Sequence, residues 1–143
     1  MVMACILVVG LGIASTQAQA SVLGRWLTDD GSGVVELAPC GPALCGRLVA
    51  VRDPKAPSHD VNNPDRALRG RMLVGIPILS GLVRDSGKDG AGWSGGQAYD
   101  PKAGRTYRAS IRLGTADRLD VTGCLFLFCR TRHWTRATTE QAR

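Results

Sequence analysis

Apolar and polar residues alternate with a period of two in this chain, and this alternation strongly limits the folds it can adopt. Between residues 106 and 113 the apolar side chains are Tyr107, Ala109, Ile111 and Leu113, and Thr, Arg or Ser occupies each position between them. Because every second side chain of a β-strand points to the same face, this segment is predicted to be a strand with one buried face.

The same pattern recurs along the chain, and clusters of Gly, Asp, Asn, Pro and Ser separate the runs. We predict strands at residues 24–28, 34–38, 45–51, 72–82, 93–99, 106–113, 118–123 and 130–136. No helical segments alternate with these strands, which argues against a parallel α/β architecture. The predicted fold class is therefore all-β, with short antiparallel strands at sandwich or barrel spacing.

The N-terminal segment, residues 1–20, indicates the compartment. It has no charged side chain, contains an apolar run, and ends in Ala18-Gln19-Ala20, a pattern that signal peptidase cleaves. The run is too short to span a bilayer as a helix, and no later segment is apolar enough to do so. We expect a cleaved signal peptide at 1–20, one domain at 21–143, no membrane-spanning segment, and a periplasmic or secreted protein.

Four of the five cysteines follow residue 20, at Cys40, Cys45, Cys124 and Cys129. An even number of cysteines in an exported chain is typical of disulfides, and four allow three connectivities. The local connectivity, Cys40 with Cys45 and Cys124 with Cys129, would cross two hairpin turns, where facing Cα atoms are about 4.5 to 5.5 Å apart. A tetrathiolate zinc site is the alternative, but thiols rarely stay reduced outside the cytoplasm. We predict no metal and no cofactor.

The charge balance bears on the class of partner. The chain has 18 Lys and Arg against 12 Asp and Glu, a formal net charge of +6. Outside the cytoplasm a basic protein meets anionic lipid headgroups, polysaccharides and acidic proteins, so no nucleic-acid partner is expected. Since the positive charge is spread along the chain, an ordinary solvated surface also explains it.

A polar stretch at about residues 52–71 interrupts the strand pattern and is predicted to be a long loop. Loops of this length in compact domains are either functional or flexible. Arg69 and Arg71 are candidates for binding a phosphate or carboxylate, because guanidinium groups contact such groups at two points. The alternative is that these arginines form a solvated end of the loop.

Short motifs distributed over nearly the whole of residues 21–143 point to a family. They include Gly24-Arg25-Trp26, Leu44-Cys45-Gly46-Arg47, Asn63-Pro64-Asp65, Leu68-Arg69-Gly70-Arg71, Trp93-Ser94-Gly95-Gly96, Tyr99-Asp100-Pro101 and Trp134-Thr135-Arg136. Together they resemble the bacterial secreted family called domain of unknown function 2147 (DUF2147). The resemblance implies a lipocalin-like, closed, antiparallel up-and-down barrel of about eight strands. It implies almost nothing about activity, because the family is uncharacterised.

Gly24-x-Trp26 also resembles the opening of lipocalins, in which an Arg from the last strand covers a Trp at the closed end of the barrel. The last predicted strand of this chain offers Arg132 and Arg136, both on the face of Trp134. The resemblance therefore implies a structural pairing of Trp26 with these arginines, through a cation–π attraction of about 0.5 to 2 kcal/mol.

Two motifs invite a catalytic interpretation that the sequence does not support. Gly92 to Gly96 matches the pattern G-x-S-x-G around Ser94, but a nucleophile elbow requires a strand, a sharp turn and a helix in a large α/β sheet. Cys129 and His133 resemble a thiol nucleophile and its base, but a cysteine in a disulfide cannot attack. We predict no catalytic residues and no enzymatic activity.

The segment Leu125-Phe126-Leu127-Phe128, between two cysteines, has an unusual composition for a hairpin connection. Such connections favour Gly, Asn, Asp and Pro. Either these apolar side chains cap the barrel core or continue a strand, or they form a tip that enters a ligand pocket, a membrane surface or a partner.

Two functions remain open. The first is binding of a small apolar or amphipathic ligand inside the barrel. Its candidate binding residues are Arg69, Arg71, Trp93, Tyr107, Phe126 and Phe128. The second is a non-enzymatic interaction module that binds another component of the cell envelope through the apolar tip or the arginine-rich loop. A hollow barrel favours the first function and a filled barrel the second.

Overall fold

The structure, a computed structural model, describes residues 21–87 and 91–143, so the predicted signal peptide at 1–20 lies outside the described residues. Within them are eight strands and one short 3-10 helix, Arg66–Leu68. The strands are β1 (Gly24–Leu27), β2 (Gly33–Cys40), β3 (Ala43–Val51), β4 (Pro77–Arg84), β5 (Gly92–Asp100), β6 (Arg105–Thr115), β7 (Arg118–Leu125) and β8 (Phe128–Arg136).

Each strand pairs antiparallel with its neighbours in the sequence, and β1 also pairs with β8, which closes the sheet into a barrel. In this closing contact Trp26 faces Arg136 and Leu27 faces Thr135. Closure satisfies the backbone groups that an edge strand would leave unpaired. The predicted all-β, up-and-down barrel is confirmed.

Because successive strands run in opposite directions, their connections collect at two ends of the barrel. The closed end has the turn at 41–42, the β4–β5 connection and the turn at 116–117. The open end has the turn at 28–32, the long loop at 52–76, and the turns at 101–104 and 126–127.

The barrel interior is filled mainly towards the closed end. In β6, Ala109 and Ile111 are buried and Leu113 packs against the core, as the alternation predicted. The most deeply buried large side chains include Trp26, Leu37, Leu44, Leu82 and Leu119. These five lie in the halves of their strands that are nearer the closed end, or on the β1 segment that faces the end of β8, whereas Val34, Val35 and Leu79 are equally buried in the open-end halves of β2 and β4.

The long loop extends further than the sequence predicted, because β4 begins at Pro77 and not at residue 72. Met72 forms an isolated bridge with His59, and Gly75 has a φ of 100°, so the chain bends between these two points. Leu73 and Ile76 are nevertheless buried in the core. Buried loop residues thus produced an apolar pattern that resembled part of a strand.

Both local disulfides are present. Cys40 and Cys45 bridge across the turn at 41–42, and Cys124 and Cys129 bridge across the turn at 126–127, with Cα–Cα distances of 5.8 and 4.1 Å. The two pairs lie at opposite ends of the barrel, so their sulfur atoms cannot converge on one zinc ion. In the described part of the chain, no helix has the length and apolar character needed to cross a membrane.

Candidate ligand-binding site

A cavity of about 870 Å³ occupies the open end of the barrel. Its apolar wall includes side chains from five strands: Val35, Leu48, Ile78, Leu79, Val121 and Trp134. Sites for small molecules are typically cavities of about 300–1,000 Å³ with mainly apolar walls and a few polar groups. The barrel is therefore packed at one end and hollow at the other.

Charged side chains surround the opening of the cavity, and two ion pairs link its connections. Arg132 Nη1 lies 2.7 Å from Asp29 Oδ2, which joins β8 to the turn at 28–32. Lys102 Nζ lies 2.7 Å from Asp30 Oδ2, which joins the turn at 101–104 to the same turn. Burial would raise the pKa of Asp30, but hydrogen bonds from Lys102 and the neighbouring turn hold it well below its ordinary value.

Arg130 differs from Arg132 and Lys102, the cations of these two ion pairs. It lines the cavity two residues from Arg132, and Gly123 directly faces it on β7, so no side chain covers it from that position. The guanidinium group of Arg130 forms no hydrogen bond or ion pair with any other residue in the ranges 21–87 and 91–143. Its guanidinium group is available to a negatively charged ligand group at the top of the apolar wall.

The loop at 52–76 forms one side of the opening and is held by the buried carboxylate of Asp60, which is 1% exposed. Its Oδ2 accepts hydrogen bonds from Arg71 Nε at 3.0 Å and Nη2 at 2.9 Å, and from Asn63 Nδ2 at 2.8 Å. Its Oδ1 accepts a hydrogen bond from the Tyr99 hydroxyl at 2.6 Å. The network joins two separate parts of the loop, residues 60–63 and Arg71, to β5.

This network shifts the pKa values of its members. Burial alone would raise the pKa of Asp60, but the hydrogen bonds from Tyr99, Asn63 and Arg71 and the charge of Arg71 hold it below its ordinary value. Burial and the Asp60 carboxylate raise the pKa of Tyr99 to about 12. At neutral pH Asp60 is therefore ionised, and Tyr99 keeps the proton that it donates.

A second contact holds the loop against the turn at 101–104. Asn62 Nδ2 donates to the carbonyl oxygens of Pro101 and Lys102, at 3.3 and 3.1 Å. Gly104 has a φ of 62°, and a side chain there would collide with the carbonyl of Asn62. The chain can pass this closely only because residue 104 is glycine.

The arginines predicted to bind a ligand are bonded within the loop. Arg71 pairs with Asp60, and Arg69 Nε donates to the carbonyl oxygen of Asn63 at 2.7 Å. In this arrangement their hydrogen bonds stabilise the loop that borders the cavity. A direct role of Arg69 and Arg71 in ligand binding stays a prediction.

The four aromatic candidates occupy three different places. Tyr107 and Phe128 line the cavity, and Phe126 lies at the end of the β7–β8 hairpin, beside the opening. Trp93 lies at the closed end, where it packs against the core with Arg84 Cζ 5.6 Å from its ring centroid. Ligand contacts by Tyr107, Phe126 and Phe128 fit this geometry, whereas Trp93 is remote from the cavity.

At the closed end Arg136 covers Trp26, with Cζ 3.9 Å from the ring centroid. The guanidinium group also donates to the carbonyl oxygens of Leu23, Ser21 and Ala116. Arg132, the other predicted partner, instead pairs with Asp29. Four residues of a strand span about 13 Å, so the two arginines of β8 reach different parts of the barrel.

Three residues of the opening were missed in the sequence: Arg130, Asp29 and Asp60. Arg130 had a usable signal, because it shares the period-two face of Trp134. Asp29 lay in a cluster that looked like ordinary turn chemistry. The partners of Asp60 include Tyr99, a residue 39 positions away, and no local pattern indicates such a contact.

The rejected catalytic motifs remain separate in space. Ser94 donates a hydrogen bond to Asp85, and His133 Nδ1 lies 2.7 Å from Asp120 Oδ1 on the outer surface. Ser94 is on β5 and His133 is on β8, with two strands between them, a distance of about 14 Å. They do not form a nucleophile and base pair.

The closed eight-stranded barrel, its first-strand Trp covered by an Arg, and its single open end define a lipocalin-like barrel. Comparison with family models is more specific: the chain belongs to the family described as "Uncharacterized protein conserved in bacteria (DUF2147)", whose model matches residues 24–136. The resemblance inferred from the motifs is thereby confirmed.

Comparison with solved structures agrees with the fold. The chain is similar to protein HP1028 from the human pathogen Helicobacter pylori, which is described as belonging to the lipocalin family. The TM-score is 0.73 at 23% sequence identity, covering 86% of this chain and 87% of that chain. This likeness shows the fold alone, and no curated protein matches the sequence.

Proposed function

We propose that the protein binds a small amphipathic molecule, with the apolar part of the ligand in the barrel and a negatively charged group near Arg130. The observation that carries this proposal is the cavity of about 870 Å³ with an apolar wall at the open end. Transfer of an apolar chain from water to such a wall is favourable, by about 25 cal/mol per Å² of buried apolar surface.

The polar groups at the opening support an amphipathic ligand rather than a purely apolar one. Asp29 and Asp30 are each paired with a cation, whereas the Arg130 guanidinium group lines the cavity without a hydrogen-bond or ionic partner in residues 21–87 and 91–143. The lining also includes the carboxylates of Asp53 and Asp100. A carboxylate or phosphate beside Arg130 would form a charge-assisted hydrogen bond, which is stronger than a bond between neutral groups.

The proposed compartment is the periplasm or the exterior of the cell. The two disulfides support it, because such bonds form and persist in oxidising environments. Protein recovered from that compartment is the right material for the test, since ligand acquired there should remain bound. Native mass spectrometry should then show a mass above that of the apo protein, which falls to the apo mass on denaturation.

Titration with a fluorescent long-chain fatty acid tests the site itself. Ala98 lines the cavity, so Ala98→Phe should fill part of it and weaken binding by at least about tenfold, because the added ring occupies volume that the ligand would take. Ala38→Phe is the matched control, since Ala38 is exposed on β2 near the closed end. An apo mass together with no probe binding, or equal affinity of both variants, would contradict the proposal.

A second function, a non-enzymatic interaction module of the cell envelope, is favoured by one observation. Phe126, Leu127 and Phe128, here called the apolar tip, are exposed at the open end. Cross-linking in intact cells tests this function: Phe126→Asp should remove a cross-linked species that Ala98→Phe leaves intact. Identical cross-linking patterns for all three proteins would argue against it.

A further inference from the structure

The apolar tip is the most exposed group of large apolar side chains in the described part of the chain. Phe126 is 84% exposed, Leu127 94% and Phe128 83%. Contiguous apolar side chains on a surface mark sites of interaction or association, whereas isolated ones are ordinary. Of the two covered or regular alternatives considered for this segment, capping of the core does not describe the tip, whose side chains are exposed. Continuation of the strands is found only at Leu125 and Phe128, which belong to β7 and β8, while Phe126 and Leu127 form the turn.

Three constraints hold the tip away from the barrel. The disulfide joins Cys124 and Cys129, which face each other directly on β7 and β8. Phe126 has a φ of 53°, and its carbonyl oxygen accepts a hydrogen bond from Arg108 Nη2 at 2.7 Å. A tip fixed in this way loses little conformational freedom when it docks.

Near the tip, every charged side chain on β7 and β8, which carry the tip, and on the neighbouring strand β6 is positive. Arg108 is on the adjacent half of β6 and Arg130 is on β8, whereas Arg105, also on β6, faces Asp100 of β5. β6 and β8 contain no acidic residue, and the single one in β7, Asp120, lies towards the closed end. The open-end halves of these strands therefore place cations around the apolar tip.

We propose that the apolar tip docks on the surface of an anionic lipid bilayer, with Phe126, Leu127 and Phe128 in the interface and the arginines near the headgroups. Apolar side chains flanked by Lys or Arg are the combination by which peripheral proteins bind such surfaces, with about 1 kcal/mol per cation near the surface. The proposal names the partner of the tip and does not require the barrel to bind a ligand.

Charge argues for a bilayer over a second copy of the chain. Two tips brought together would place like charges side by side, which opposes association. Three side chains also provide much less than the roughly 800 Å² per partner buried in a stable protein interface. A bilayer with negative headgroups complements the arginines and accepts the apolar side chains of a single tip.

The tip lies beside the cavity, so docking of the tip would also bring the cavity close to the bilayer. Leu125 and Phe128 line the cavity, so a docked tip brings the opening next to the bilayer. An amphipathic ligand then passes between bilayer and cavity without full exposure to water. This consequence rests on the proposed ligand-binding function, whereas docking itself does not.

Vesicle flotation tests the docking. Wild-type protein should bind vesicles of phosphatidylglycerol and phosphatidylcholine more strongly than pure phosphatidylcholine vesicles, and added salt should weaken the binding. Phe126→Asp should weaken binding at least about tenfold, since it replaces a phenyl ring that enters the bilayer interface on docking with a charge. The matched control is Val83→Asp, because Val83 is 58% exposed on β4 near the closed end, and this variant should bind like wild type.

The depth of insertion gives a second readout. Phe126→Trp places an indole at the tip, and lipids brominated on their acyl chains should quench its fluorescence in anionic vesicles. The wild-type tryptophans Trp26 and Trp93 lie in the core or at the closed end and should not be quenched. Trp134 lies in the wall of the cavity and is the same in both proteins, so the quenching of Phe126→Trp is measured as the excess over wild type. Val83→Trp should also escape quenching.

Absence of vesicle binding, or equal binding by Phe126→Asp and wild type, overturns docking, as does equal loss in both aspartate variants. Concentration-dependent association that Phe126→Asp abolishes, without vesicle binding, would assign the tip to a protein contact and also overturn it. Probe titration without vesicles keeps the two proposals apart: failed docking with intact probe binding leaves ligand binding standing. Vesicle binding without probe binding would leave docking standing and contradict ligand binding.

Discussion

Hairpins β2–β3 and β7–β8 each have a two-residue turn and a disulfide between cysteines five positions apart. The first turn is Gly41-Pro42, and Gly41 adopts its φ of 64° at no steric cost. In the second turn Phe126 adopts a φ of 53°, a conformation that costs a non-glycine residue about 1 to 2 kcal/mol. The closed-end turn therefore has residues that suit its geometry, whereas the open-end turn keeps an apolar side chain despite its geometry.

The same contrast extends to the two ends of the barrel. At the closed end Trp26 is fully buried, and Arg136 both covers it and bonds to three backbone carbonyl oxygens. At the open end the interior is a cavity, its ion pairs are partly exposed, and the tip is bare. We infer that the closed end contributes most of the stability and that the open end is adapted to binding.

The largest expected difference in the free energy of unfolding is between variants of one aromatic residue at each end of the barrel. Trp26→Ala should lower the free energy of unfolding by about 3 to 5 kcal/mol, because it leaves a cavity in the packed core. Phe126→Ala should change it by less than about 0.5 kcal/mol, since an exposed side chain loses few contacts. Urea denaturation followed by circular dichroism measures both, and similar losses would refute the contrast between the ends.

The next effect concerns Asp60, which fixes the loop of the open end. Asp60→Asn should cost about 2 to 3 kcal/mol at neutral pH, because it removes the charge that Arg71 and Tyr99 bind. The pKa of Asp60 is depressed in the folded state, so its contribution is present above the unfolded pKa of about 3.9 and is lost as the pH falls through the folded value.

Denaturation at several pH values checks that sign. Wild-type stability should fall more steeply than that of Asp60→Asn as the pH is lowered below about 4. The pKa of Tyr99 is raised to about 12, so its contribution is present below the ordinary value and is lost as the pH rises towards 12. Tyr99→Phe should lack this alkaline loss, and parallel pH profiles for all three proteins would contradict the network.

Removal of a disulfide should have a smaller effect on stability, and this effect should be equal at the two ends of the barrel. Replacing either cysteine pair with serines should cost about 2 kcal/mol, because the two bridges close loops of the same length. The pairs should differ in function: loss of Cys124 and Cys129 weakens vesicle binding, and loss of Cys40 and Cys45 does not. Thermal unfolding and flotation separate the two outcomes, and equal vesicle binding would mean that the tip does not need its bridge.

The smallest effect on stability should come from Arg130. Arg130→Gln should change the free energy of unfolding by less than about 0.5 kcal/mol, because Arg130 is exposed and has no ionic partner in residues 21–87 and 91–143. It should nevertheless weaken binding of a fatty acid about tenfold and leave its methyl ester unaffected, through loss of a charge-assisted hydrogen bond. Equal effects on both probes would remove Arg130 from the site.

Much of the fold could be predicted because it depends on local patterns. The alternation in residues 106–113 identified β6 and its buried face, and motifs spread along the chain identified the family. The error at residues 72–76 has a physical cause: Leu73 and Ile76 are buried without belonging to a strand. Apolar periodicity reports burial, and a loop folded onto a barrel can satisfy it as well as a strand can.

The candidate site could be predicted only in part. Tyr107 was identified because it shares a face with buried residues of its own strand. The bond between Asp60 and Tyr99 joins residues 39 positions apart, and the pair Arg132–Asp29 joins residues 103 positions apart. Such contacts depend on how the strands are arranged around the barrel, which alternation within each strand does not specify.

The sequence by itself determined the number and order of the strands, the buried face of β6 and the cysteines that lie close enough to bridge, because these depend on neighbours a few positions apart. Only the tertiary structure decided that the barrel is hollow at one end, that Arg136 and not Arg132 covers Trp26, and that the apolar tip is bare. The physical reason is volume: the space inside a closed sheet is the difference between what eight strands enclose and what their side chains fill.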